Sequence, residues 1–350
     1  MVWGNLGTGH WLGAAGGTSH WVELARTKLS SSADDITVSS LTSKPYLMIL
    51  GHVLDTGGVI ETRLRCNSDT GSNYSRRNRF DGSESTATSQ DFMTIHSNLN
   101  TACPEFLLGI MNNVSDKEKL YHGHSTAQNT AGASNAVSSG EASGKWANTS
   151  NAISSVTYHN AGSGSFDTDS ECVVLGFDPA DASGTNFWEE LVTAELSSAS
   201  DTLTTSTFTP KKYMMIQYHA LPNGNIDVGL RVGNSSVDTG SNYSKRESDE
   251  FSGGTSGAGS ESLLPWGKGS GAARESFGMG YLVNVASKEK LWFGQALDSG
   301  GSGGSVTPST REAWGKWSNT SNQVNVVQLY ENGQSGNFAS GTKITVWGAD

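Results

Sequence analysis

The 350-residue chain carries 23 Lys and Arg against 34 Asp and Glu, a net charge of −11, and only 16% of its residues are charged. An acidic chain repels phosphate backbones, which weighs against nucleic-acid binding; 35% apolar residues, set in patterned runs, weigh against disorder. No stretch of about 18 apolar residues predicts a membrane-spanning helix, and three cysteines without a CxxC pair predict buried thiols, not a disulfide framework.

Residues 1–18 are Gly-rich and have no counterpart elsewhere in the chain, so they read as an arm. "MVWGNLGTGHWLGAAGG" lacks a basic start and an apolar core, so no standard signal peptide is expected, and folding in a reducing cytoplasm follows. "HWVELARTKL" fits a helical turn and a strand equally well. "YLMILGHVL" (46–54) and "VIETRLRCN" (59–67) read as strands flanking the turn residues "DTGG". "DTGSNYS" (69–75) closes the second strand as a turn. "EFLLGIMNNV" and "EKLYHGHS" form a hairpin across "SDK". "ISSVTYHN" and "ECVVLGF" supply a closing strand pair. Between these lie apparent loops at 81–104 and 125–143.

After a polar join at 178–185 the chain starts again. Residues 21–52 align with 188–219 at an offset of 167, "DTGSNYS" recurs at 238–244, and "GKWANTSN" (144–151) recurs as "GKWSNTSN" (315–322) at an offset of 171. A slowly growing offset means loops that lengthen between fixed strands. The second copy has its own apparent loops at 252–275 and 297–313. Seven or eight short strands per copy predict an all-β chain of two tandem, jelly-roll-like β-sandwich domains related by internal duplication. The boundaries are an arm at 1–18, copy 1 at 19–178, a linker at 179–185 and copy 2 at 186–350.

Candidate chemistry is sparse. Asp69, Gly71 and Asn73 are oxygen-rich alternate positions, but no bidentate Glu follows as a calcium loop requires. Tyr74 and Tyr243 are expected to pack their rings and keep their hydroxyls wet. His52 and His219 occupy matched strand positions. "HGH" at 122–124 places two imidazoles on one strand face, but copy 2 has Phe293-Gly294-Gln295 there. "GSGSF" at 162–166 fails as a nucleophile elbow, and "GSGGS" lacks the Lys-Ser/Thr of a phosphate loop. No catalytic, metal or cofactor residue is nominated. The candidate ligand or assembly contacts are Trp146, Trp317, Tyr74 and Tyr243: buried rings make them structural, exposed rings make them sugar platforms.

The run "W.ELA...LSS..D.I.V.SL..K.Y.M", followed by "LR.N.DTGSNYS.R", "KEKL" and "GKWANTSN.I", resembles tandem β-sandwich virion structural proteins of marine tailed bacteriophages and related environmental viruses. The likeness spans both copies from about residue 19. It implies a capsid-decoration, outer-shell or tail-associated component located in the virion. Its partners would be copies of itself, a trimer foremost, and other virion proteins, with host surface glycans as a further partner and neither nucleic acid nor membrane involved. A carbohydrate- or receptor-binding module is the alternative. A hydrolase would instead need a cleft with a perturbed carboxylate or His from one copy alone.

Overall fold

The computed structural model describes residues 20–98, 104–181, 185–249, 255–269, 274–300, 304–305 and 307–350; the expected arm at 1–18 and Cys103 lie outside them. Two compact units form. Unit 1 takes the chain up to Ser125 and again from Gly140 to Trp188; unit 2 takes Thr126–Ser139 and Glu189–Asp350. The expected join thus ends three residues short of the last residue of unit 1. The apparent loop at 125–143 does not stay with its own copy: most of it belongs to unit 2.

Unit 1 is built from β1 (Val22–Lys28), β2 (Asp35–Val38), β3 (Tyr46–Val53), β4 (Ile60–Cys66), β5 (Tyr74–Phe80), β6 (Ser83–Gln90), β7 (Met93–Asn98), β8 (Glu105–Asn112), β9 (Lys119–Ala127), β10 (Ser138–Trp146), β11 (Val156–Asn160) and β12 (Glu171–Phe177). An eight-stranded sheet runs β1-β12-β3-β8-β9-β10-β5-β6, and a four-stranded sheet runs β2-β11-β4-β7. Ile49, Leu107, Tyr121 and Trp146 from the large sheet meet Ile36, Leu64, Met93 and Val156 from the small one in a single buried cluster. This is a sandwich core.

Unit 2 repeats the plan with β13 (Glu189–Glu195), β14 (Thr202–Thr204), β15 (Tyr213–Ala220), β16 (Pro222–Asn223), β17 (Ile226–Asn234), β18 (Ser236–Val237), β19 (Tyr243–Asp249), β20 (Ser256–Glu261), β21 (Leu264–Gly269), β22 (Ser276–Val283), β23 (Lys290–Asp298), β24 (Ser309–Trp317), β25 (Val326–Glu331), β26 (Asn337–Phe338) and β27 (Lys343–Ala349). Its large sheet runs β13-β27-β15-β22-β23-β24-β19-β20. The small sheet runs β14-β25-β17-β18, with β21 also paired to β17, and the core again draws on both layers. Two jelly-roll-like sandwiches therefore stand in tandem, as the duplication implies.

Three details differ from the sequence reading. The ambiguous "WVELARTKL" and "WEELVTAEL" runs are strands, β1 and β13, each with a bulge in its pairing to the last strand of its copy. The strands of 46–54/59–67 and of 153–160/171–177 do not pair with each other, because β3 and β12 lie in the large sheet while β4 and β11 lie in the small one. "DTGG" carries the chain from one layer to the other. The supposed loops at 81–104 and 252–275 contain β6, β7, β20 and β21. The Ser/Thr/Gly strands β6 and β20 bury neither face well, so they show no alternation to read.

Candidate functional site

The twice-written phrase folds into the same clip in both units. In unit 1, Asp69 Oδ1 accepts the Gly71 backbone N–H (2.8 Å) and Oδ2 accepts the Asn73 amide (2.9 Å) and the Trp146 indole Nε1–H (2.7 Å). Burial pushes the Asp69 carboxyl up, but the hydrogen bonds from Trp146, Gly71 and Asn73 outweigh it and hold the pKa below the ordinary carboxylate value. The Tyr74 hydroxyl accepts the Cys66 N–H at 3.0 Å and lies 3.2 Å from both Cys66 O and Asp69 O. Lys119 Nζ donates to Ser115 O and Asn148 O beneath the Trp146 ring. Asn148 Oδ1 accepts the N–H groups of Ser150 and Asn151 and turns the chain.

Unit 2 reproduces each link. Asp238 takes the Gly240 N–H (2.8 Å), the Asn242 amide (2.9 Å) and the Trp317 indole (2.7 Å). Tyr243 bridges Val232 and Asp238, Lys290 caps Asn319 O, and Asn319 Oδ1 accepts Ser321 and Asn322.

The four nominated aromatics are therefore inside. Trp146 is 1% exposed, Trp317 2%, Tyr74 1% and Tyr243 0%. None has a ring face to offer a sugar or a partner. Sequence placed the tyrosine hydroxyls in water; instead they bond backbone groups, because the clip folds over them. The donors around each Asp also occupy the lone pairs that a calcium ion would need.

Other sequence candidates are dispersed. His52 is buried, whereas its counterpart His219 is exposed and 3.2 Å from Glu275. His122 and His124 do share a face, with rings 5.3 Å apart; His122 Nδ1 lies 3.0 Å from Ser143 Oγ, and burial lowers the pKa of His124. Among the described residues no group of three or more His, Cys, Asp or Glu side chains is placed to hold a metal ion. Cys66 and Cys172 are buried free thiols, with burial pushing both pKa values up.

A cluster that sequence reasoning missed lies between the sheets of unit 1. Ser125 Oγ sits 2.7 Å from His96 Nδ1, and Glu105 Oε2 accepts the Thr62 hydroxyl at 2.7 Å. His96 Nε2 and Glu105 Oε1 face each other at 3.9 Å, and neither has a hydrogen-bond partner. Glu105, His96 and Thr62 are 0% exposed. Burial pushes Glu105 up to about 8, offset in part by the Thr62 hydrogen bond, and pushes His96 down to about 4. Both groups are therefore held neutral near pH 6.

Unit 2 has none of this. Its positions matching His96, Glu105, Ser125 and Thr62 are Gly267, Ser276, Ala296 and Val228, and Tyr218 fills the space, its hydroxyl 2.9 Å from Ser276 Oγ. Tyr218 in turn matches Gly51, where a Cβ would lie 2.6 Å from the Tyr158 ring. The two units thus fill the same volume with different side chains. A comparison of the two copies position by position carries the signal: four polar residues in one copy are replaced together in the other.

Serine, imidazole and carboxylate are the residue types of a nucleophilic triad, but the geometry does not assemble one. The His96–Glu105 distance exceeds a hydrogen bond, and the cluster is closed to solvent. Two surface depressions lie elsewhere. One, of 490 Å³, is lined by Glu23, Lys44, Asp181 and Phe187 in unit 1, and one, of 380 Å³, by Asn234, Asp238, Trp317 and Asn322 in unit 2.

No family model and no curated protein matches the chain. Among solved structures, it is similar to mouse laminin alpha1 chain domains LG4-5 at 9% identity, covering 96% of this chain and 92% of that one, with a TM-score of 0.18. The LG1-3 region of the laminin alpha2 chain is 10% identical over 90% of this chain and 64% of that one, with a TM-score of 0.19. Superpositions this loose carry nothing about function, and the sandwich assignment stands on the strand pairings themselves.

Proposed function

We propose that the chain is a structural building block of the virion type its repeated motifs resemble, working through self-association and contacts with other shell or tail proteins. One observation carries the reading: the residues written twice are the internal joints of the fold. The Asp clip, the tyrosine bridge and the capped lysine recur link for link, so duplication has kept shape. The one-copy Ser125–His96–Glu105 cluster is a closed polar core. In a shell protein, rigid sandwiches supply flat, repeatable contact surfaces and multivalency supplies affinity.

Negative-stain imaging and light scattering of the purified protein test this. Symmetric, concentration-dependent assemblies are expected. A strictly monomeric protein that binds glycans on an array would replace the reading with a binding module.

A further inference from the structure

A sheet edge left open is a template for another chain, and folded proteins guard such edges with charge, proline, bulges, shortness or a covering segment. Among the described residues, the other ends of the large and small sheets are guarded. β1 carries Glu23, Arg26 and Lys28 and a bulge between Glu23 and Ala25. β13 carries Glu189, Glu190 and Glu195 and its own bulge. β2 and β14 have four and three residues, and β18 has two. Met93, Thr94, Ile95 and His96 of β7 are buried, and β21 contains Pro265.

β20 is covered. The Ser260 N–H donates to Ala133 O at 2.5 Å, and a Cβ on Gly259 would fall 2.3 Å from Ser134 O, so residues 133–134 lie directly along that edge.

β6 is the counterpart of β20 at the end of the large sheet of unit 1, with Ser89 and Ser260 matched even in their positive φ (53° and 56°). It is eight residues long, Ser-Glu-Ser-Thr-Ala-Thr-Ser-Gln, with six exposed and two half-buried. It has one charge, Glu84, and no Lys, Arg or Pro, and the bulge in its pairing to β5 lies at its far end, between Ala87 and Gln90. Among the described residues, no strand follows it in the sheet order.

We propose that the open edge of β6 is an assembly site taken by β6 of a second copy of this chain, joining two eight-stranded sheets antiparallel across a two-fold axis. This rests on the building-block reading and names its contact. A two-fold axis normal to the sheet requires one residue to pair with itself. Centring on Thr86 places Ser85 opposite Ala87 and Glu84 opposite Thr88, so no like charges meet, and a Thr–Thr pair sits at the middle. The paired segment ends before Ser89, where the positive φ breaks the strand. Small hydroxyl and methyl side chains on both faces leave the backbone accessible, as strand addition requires.

The test compares wild type with a Thr86→Lys variant by sedimentation equilibrium, with far-UV circular dichroism confirming the fold. The two added charges meet across the two-fold axis, so self-association through this contact should weaken at least tenfold. Thr86→Cys is the second arm. On oxidation it should give a disulfide-linked dimer, whereas Thr193→Cys in the guarded strand β13 should not.

A lysine variant that associates as wild type does, together with no cross-link through Thr86→Cys, overturns the edge proposal and leaves the building-block reading standing. A wild type that stays monomeric at every concentration overturns both. If the lysine variant does not fold, the cross-link decides.

Discussion

Replacing Glu105 by Gln tests the closed cluster of unit 1 most directly. The side chain keeps its shape and its acceptor for the Thr62 hydroxyl, but it can no longer ionise. Glu105 sits fully buried with its pKa pushed from 4.5 up to about 8, chiefly by burial, with the Thr62 bond acting against and the Asp55 charge adding to the rise. Because the folded-state value lies above the unfolded one, the stability linked to this group is whole below pH 4.5. It is lost as pH rises through about 8, since only the unfolded chain gains the charge freely. At 1.36 kcal/mol per pH unit, the interval from 4.5 to about 8 has a ceiling of roughly 5 kcal/mol. Relaxation of the site lowers this, and a loss of roughly 2–4 kcal/mol is expected. That is a large share of the roughly 5–15 kcal/mol that holds a domain together. The assay is urea unfolding at pH 5, 7 and 9, with intrinsic tryptophan emission as the probe. Wild type should lose stability from pH 5 to 9, and Glu105→Gln should lose markedly less and be the more stable protein at pH 9. Equal pH slopes in the two proteins would refute a buried, neutral Glu105.

His96 should act in the opposite sense: with its pKa lowered to about 4 by burial, its stabilising share is present above pH 6.5 and lost as pH falls towards 4, so His96→Gln should flatten the acid limb of the same urea series. Trp146→Phe keeps an aromatic ring but removes the indole donor to Asp69, which should cost about 1–3 kcal/mol in chemical denaturation, and Trp317→Phe should cost the same through Asp238. Lys316 pairs with Glu289 at 3.1 Å, both buried, so Lys316→Met should destabilise by about 3–5 kcal/mol. Its counterpart Lys145 meets Glu118 in the open, and Lys145→Met should change stability by less than about 1 kcal/mol, both read from thermal melts.

The repeat made the fold legible. Matched residues such as Leu64/Leu230 and Trp146/Trp317 fall in the two cores at equivalent places, and the Gly/Asn/Asp punctuation marked real turns. Layer assignment was not legible, because "DTGG" serves a tight hairpin and a sheet-to-sheet crossing equally well. β6 and β20 were invisible because a strand exposed on both faces has no reason to alternate. The closed cluster was hidden because Thr62, His96, Glu105 and Ser125 are scattered over four strands and gather only when the layers meet. His96 fell in an apparent loop, and Thr62, Glu105 and Ser125 looked like ordinary polar residues at strands or their ends. Tyr74 and Tyr243 were recognised as anchors, but the destination of their hydroxyls depends on a backbone turn that sequence does not display.

Residues 126–139 are encoded in the first repeat yet complete the second body. They place Gln128 O at 3.0 Å and Thr130 O even nearer to the Lys316 ammonium, and they give Glu289 the Gly132 N–H at 2.6 Å. Genetic duplication and physical modularity have therefore come apart. A fragment beginning at the seam would inherit a sequestered cation and carboxylate stripped of their lid, and would be expected to precipitate. Shuffling half of this gene into another context would have to carry that borrowed fourteen-residue patch along.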